Sequence, residues 1–244
     1  MAIKLYIVHG SHPCAAVARA LELKGLQYDV VELPPPLHAA IQRVRFGSRT
    51  VPSIRLESGE KLSGSRAIME RLEALAPEPP LYPTDAAART AVRRADEWGD
   101  QVWQPTARRL IWWALTQAPD AMPSYQAGSR LPRVPPAAVR AMAPAVTRIE
   151  RGLNGVDEGA VRADLRTLPR HLDRIDGWIE GGILGGEPVN AADLQIASTS
   201  RLMLTIADLR PLFAGRSAEA HARALFGEWA GSTPPGAISP AWLV

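Results

Sequence analysis

Ser11-His12-Pro13-Cys14 is the stretch of this chain whose residue types and spacing could do chemistry. It lies where a short apolar run, Ile3 to Val8, meets a helical pattern from Pro13 to Lys24 that Gly25 closes. The free N–H groups and positive dipole end at the mouth of such a helix favour an anion. Serine at the helix mouth, proline in the first turn and cysteine three residues on form a small reactive cluster, read as a thiol-handling site. Ser11 can equally be no more than the N-cap of the helix. Cys14 is the only cysteine. Three residues after Ser11, it reads either as a monothiol redox group or as a small apolar side chain on the inward face. A Cys-x-x-Cys disulfide cycle is impossible, because Ser11 holds the first position. The histidines at 9, 12, 38, 171 and 221 show no zinc spacing, so no metal is expected.

The elements that must position this stretch follow from hydrophobic periodicity. Ile3, Leu5 and Ile7 alternate with Lys4, Tyr6 and Val8, the period-2 pattern of a strand. Tyr28 to Leu33 is a second strand, and strand–helix–strand within about thirty residues predicts a parallel βαβ unit. Pro34-Pro35-Pro36 forces an extended connection to a short helix at His38 to Phe46. Val51 to Leu56 reads as a third strand, with Pro52 at an edge, a bulge or a cis bend. A turn at residues 57–60 leads to a fourth strand at Lys61 to Ser63, and Ser65 to Leu75 is a helix.

Ala76-Pro77-Glu78-Pro79-Pro80 is the clearest boundary, and beyond it strand signals stop. Asp85 to Ala118 is a long helical pattern that Pro105 kinks or divides, and Pro119 to Pro136 reads as a loop. Ala137 to Ile149 and Val161 to Ile179 are further helices. In the second, Leu165, Leu168, Leu172, Ile175 and Ile179 form one stripe. The glycine-rich run at 181–186 lacks the strand, helix and lysine of a phosphate loop and reads as a turn. Asn190 and Asp193 are spaced as a capping box opening another helix. Ala218 to Phe226 is a last helix and Pro234 to Val244 an extended tail. The expected organisation is one mixed domain over residues 1–76, a linker over 77–88 and an all-helical domain over 89–244.

Composition narrows the function classes. The 244 residues are 46% hydrophobic and 22% charged, as in a globular protein with sizeable cores. A net charge of +3, with arginines interleaved among Asp and Glu, argues against a nucleic-acid footprint. No apolar run approaches the length of a membrane span, no secretory signal pattern is present, and a lone cysteine fits a reducing compartment. A cytoplasmic protein is expected.

Five motifs, in order, resemble the glutathione S-transferase superfamily, in its serine/cysteine-type, bacterial form. Ser11-His12-Pro13-Cys14, thirteen residues ahead of Lys24-Gly25, resembles the family's active-site loop and first helix. Thr50-Val51-Pro52-Ser53 resembles its Val-Pro segment, and Ser65-Arg66-Ala67-Ile68 the second half of its acid-Ser motif. Leu81-Tyr82-Pro83 looks like its domain junction, and residues 185–193 are similar to its capping-box turn. The resemblance implies an α/β thioredoxin-like N-terminal domain (βαβ-ββα) that binds the thiol, followed by an all-α C-terminal domain. It implies conjugation of a small thiol, glutathione as co-substrate, to a hydrophobic electrophile, as in detoxification, by a cytoplasmic homodimer. Ser11 would be catalytic, with Cys14 as the alternative; a tyrosine-type site is not implied, since the matching position is Ile7. Val51, Pro52, Ser65 and Arg49 (with His38) would hold glutathione. Trp103, Arg108, Arg109, Trp112 and Trp113 would line the electrophile groove, although aromatics at helical spacing can simply be core. Two positions depart from the family pattern: Gly64 stands where an acid would meet the γ-glutamyl ammonium, and Arg45-Phe46-Gly47 replaces Pro-x-Gly. The absent charge-assisted bond is worth about 1.5–3 kcal/mol. The alternatives are a thiol-disulfide or deglutathionylating activity at Cys14, and a non-catalytic binding protein of the same fold.

Overall fold

The structure, a computed structural model, describes residues 2–35 and 37–243. Strand β1 (Ile3–Ile7) is central because its alternate side chains meet helices on both faces; Ile3 and Leu5 are buried on one side and Tyr6 on the other. It pairs in parallel with β2 (Tyr28–Glu32) through the crossover helix α1 (His12–Leu23). On its other edge it pairs antiparallel with β3 (Ser53–Arg55), which pairs antiparallel with β4 (Lys61–Ser63). The sheet order is β2-β1-β3-β4. Helix α2 (His38–Phe46) stops where Gly47 turns left-handed at φ 71°, and the ring of Phe46 meets Tyr6 edge-on. Helix α3 (Ser65–Leu75) lies beside α1, with Ile68, Met69 and Leu72 fully buried. The third strand is shorter than its sequence pattern: Val51 and Pro52 precede it across a cis peptide bond, and a proline nitrogen donates nothing to a ladder.

The second half is helical. Helix α4 (Ala86–Trp98) begins with Asp85 capping the Ala88 N–H at 2.8 Å. It runs through a π-helical turn (Gly99–Trp103) into α5 (Gln104–Gln117), so Pro105 follows a widened turn and the helix continues past it. A 3₁₀ turn (Pro119–Gln126) leads to α6 (Pro136–Asn154) and α7 (Glu158–Glu180), whose buried stripe is Val161, Leu165, Leu168, Leu172 and Ile175. Helix α8 (Ala191–Met203) is buried along its whole length, packed by α1, α4, α5 and α10 (Ser217–Leu225). Between them lies α9 (Arg210–Phe213). The C-terminal segment is tied down, contrary to the expected tail. Thr233 bridges to Ile206, Ile238 is fully buried, and a 3₁₀ turn forms at Pro240–Trp242.

The halves meet along α1. At the C-cap of this helix stands Lys24, whose ammonium donates to Glu73, at 2.7 Å, and to the carbonyls of Ala76 and Pro79. One buried cation therefore collects the ends of α1, α3 and the linker.

Candidate active site

Ser11 occupies the N-cap position of α1 in extended conformation, but its side chain makes no capping bond to the helix. Its hydroxyl is left beside the mouth of a cleft of about 380 Å³ between the sheet domain and the helices. Val8 to Pro13, His38, Arg49, Thr50 and Val51 form the sheet-domain side. The stripe Arg108, Ile111, Trp112 and Leu115 of α5 forms one helical wall; Val139, Met142 and Val146 of α6 face it, with Met122 and Tyr125 from the 3₁₀ turn. The segment after that turn is pinned to the sheet domain. Glu32 accepts from Ser129 Oγ at 2.5 Å and from the Arg130 N–H at 2.7 Å, and His9 bonds the Ala127 carbonyl at 2.8 Å.

Cys14 points inward, 3% exposed. Burial pushes its thiol up to about 12, against smaller opposing effects of the Ser11 hydroxyl, the Val8 backbone and Arg108. At neutral pH it is a protonated, packed sulfur. His12 is equally buried, and its Nε2 has no hydrogen-bond partner. Burial first, then the adjacent Arg108 cation, hold its imidazole well below the usual range, so it is neutral at pH 7.

The remaining residues named from sequence divide into two sets. Val51, Arg49 and His38 line the cleft with Ser11; Pro52 is buried behind Val51, with its carbonyl accepting from the Gly64 N–H at 3.0 Å. Burial lowers the His38 pKa. Ser65 is 2% exposed and does not line the cleft; its hydroxyl accepts from Gln104 Nε2 at 3.3 Å. The same Gln104 accepts through Oε1 from Arg108, so α3 communicates with the cleft by a relay of three side chains. Gly64 sits at φ 92° with open space where a side chain would begin, a backbone that glycine adopts without strain.

On the helical side, Trp112 and Arg108 line the cleft and Trp103 and Trp113 do not. Neighbours on a helix diverge by about 100°, so Trp113 turns away to pack against Trp242 and under Arg151. Trp103 is fully buried, stacked on Trp98 and donating to Ser200 Oγ at 3.1 Å, so it is core. Arg109 is held bidentately by Asp164 of α7 at 2.6 and 2.7 Å. The α6 wall was available in the sequence as the stripe Val139, Ala143, Val146, Glu150 and Leu153. The proline-rich run before it hid how that helix returns over the cleft. Among the described residues no cluster of His, Cys, Asp or Glu could hold a metal ion, and no helix is long and apolar enough to cross a membrane.

Residues 5–80 match the family described as glutathione S-transferase, N-terminal domain. The first domain of this chain is therefore similar to that of glutathione S-transferases, and solved structures extend the likeness to the whole fold. A glutathione S-transferase from Rhodospirillum rubrum F11 superposes with a TM-score of 0.58 at 20% identity, covering 99% of this chain and 98% of that one. Another, from Methylobacillus flagellatus KT with glutathione bound, gives 0.60 at 19% identity over 91% and 93% of the two chains. The theta-class enzyme of the citrus canker pathogen Xanthomonas axonopodis pv. citri, also with glutathione bound, gives 0.56 at 18% over 83% of each. No curated protein matches the chain by sequence. The thioredoxin-like sheet domain with an all-helical second half is thus the fold that these solved transferases share.

Proposed function

We propose that this transferase-fold protein conjugates a small thiol, glutathione first among them, to a hydrophobic electrophile, and that Ser11 steadies the thiolate. The observation that carries this reading is the Ser11 hydroxyl, free of capping duty at the mouth of the cleft. The buried Cys14 thiol, pushed up to about 12, leaves the reactive sulfur to the ligand. Glutathione bound in two proteins of the same fold supports the choice of thiol.

In this mechanism the Ser11 O–H donates to the sulfur, while the dipole end of α1 adds its field. Both favour thiolate over thiol, and the released proton passes to solvent. The Val51 backbone, set by the Val51–Pro52 bend, receives the thiol peptide, with Arg49 and His38 on hand for its carboxylate. The sulfur then attacks an electrophile held against Trp112 and Ile111, forming a C–S bond as the leaving group departs with its electron pair. We take the working form to be a cytoplasmic homodimer, as the family resemblance suggests.

Ser11→Ala removes a hydrogen bond to a charged group, about 1.5–3 kcal/mol, or roughly a tenfold to hundredfold fall in kcat/KM. Initial rates with glutathione and chlorodinitrobenzene, together with a spectroscopic titration of the bound thiol, read this out. Unchanged turnover and an unchanged bound-thiol pKa in the folded variant would remove Ser11 from the mechanism.

A further inference from the structure

Arg108 is a half-buried cation of the cleft that no anion among the described residues claims. Its guanidinium donates to the neutral amide oxygen of Gln104. Among the described residues it forms no ion pair, whereas the neighbouring Arg109 is fully engaged by Asp164. Asp100 is the carboxylate whose charge it feels most, yet the two do not pair. A guanidinium carries five N–H donors in a planar fork, and a single amide partner leaves most of them open to a ligand's oxygens. A second group in the same place is also short of a partner: His12, 3% exposed, lines the cleft with its Nε2 unbonded.

Position decides which charge these groups serve. A bound thiolate already has the Ser11 hydroxyl and the dipole end of α1, both from the sheet domain. Arg108 comes from the opposite wall. It stands at the polar end of the helical stripe that continues through Ile111, Trp112 and Leu115, so an apolar molecule lying on that stripe has its near end at the guanidinium. We propose that Arg108, with His12 beside it, receives negative charge on the second substrate, so that this site selects electrophiles combining an apolar body with an oxyanion close to the reacting carbon. Carboxylate, sulfonate and phosphate share that chemistry, since the guanidinium fork matches planar or tetrahedral oxyanions with paired bonds. This rests on the conjugation reading above and names its substrate class.

The test compares chlorodinitrobenzoate with its methyl ester, which keeps the aromatic body and loses the charge. In both, the glutathione sulfur attacks the carbon bearing chlorine. The C–S bond forms, the C–Cl bond breaks with its electrons on chloride, and the thiol proton goes to water. The readout is the ratio of kcat/KM for acid over ester. Losing a charge-assisted bond lowers that ratio by about tenfold or more in Arg108→Met, and Arg108→Lys restores most of it. A ratio that stays at the wild-type value in folded Arg108→Met overturns the proposal, whether overall rates fall or not. If wild-type protein turns over neither compound, the conjugation reading fails separately, and calorimetric titration with chlorodinitrobenzoate decides the anion site alone. Binding weakened tenfold or more in Arg108→Met sustains it, and equal binding overturns it.

Discussion

The Cys14 side chain packs under the first turn of α1, and loss of water around it is the main reason its thiol rises to about 12. At pH 7 only about one molecule in 10⁵ carries the thiolate there, the form that attacks disulfides and alkylating agents. Ser11, three residues earlier, remains half-buried at the cleft, where a hydroxyl needs no ionisation to donate a hydrogen bond. Iodoacetamide should therefore leave native protein unlabelled over hours and modify one thiol per chain once it is unfolded. Cys14→Ala should keep conjugation and cost about 1 kcal/mol for the missing sulfur. Labelling of the native state faster than unfolding would put the sulfur back into the chemistry. Gly64 is the other residue whose backbone matters: its φ of 92° suits glycine, and the position offers no charge to an ammonium group.

Helix α8 depends on its start. The Asn190 Oδ1 accepts from the Asp193 N–H at 3.1 Å, and the Asp193 carboxylate accepts from the Asn190 N–H at 2.9 Å. The same carboxylate accepts from the Gly185 N–H at 2.7 Å and meets His221 Nε2 of α10 at 2.8 Å. Asp193→Ala strands three donors at once, two of them buried, so a loss on the order of 3–5 kcal/mol is expected in urea denaturation. A loss under 1 kcal/mol would show that the box is not what anchors α8. This box was legible from Asn190 and Asp193 alone, because a cap is a local contract between residues three apart. So was the end of α2, set by Gly47, and the stripe of α7. The π turn at Gly99–Trp103 was not, since nothing local marks an extra residue in a helix. Helix α6 runs five residues past Ile149 to Asn154, where Gly155 at φ 62° ends it, a stop signal written in the sequence. At the site, Ser11, Val51 and Trp112 could be placed from spacing and resemblance. The inward turn of Trp103 and the clasp of Glu32 on Ser129 could not, because each depends on a partner about a hundred residues away.

At the scale of the whole molecule, Asp96 marks where the two halves and the linker converge. It sits on α4 with no solvent access, accepts from the Tyr82 hydroxyl of the linker at 3.1 Å, and lies 3.6 Å from Arg66 of α3. Burial pushes its carboxyl up to about 7, with the Tyr82 bond and Arg66 opposing and Asp100 and Glu70 adding. In an unfolded chain the same group titrates near 4 (about 3.9). Between those two values the native state holds a proton that the unfolded state has released, so this group's contribution to stability is lost as pH rises from about 4 to 7. The slope is at most about 1.4 kcal/mol per pH unit. Burial lowers His12, His38 and His171, which act in the opposite sense below about pH 6.5. The wild-type curve alone therefore mixes two trends, and the difference between two proteins isolates one. Asp96→Asn keeps an acceptor for Tyr82, does not titrate, and leaves Arg66 beside Glu97 and Glu70. Urea denaturation of both proteins at pH 5 and pH 8 should show the variant gaining on wild type by about 2 kcal/mol or more as pH rises. The histidines cancel in that comparison. A difference that does not change with pH would mean that Asp96 stays ionised in the folded protein, with Arg66 rather than burial setting its charge.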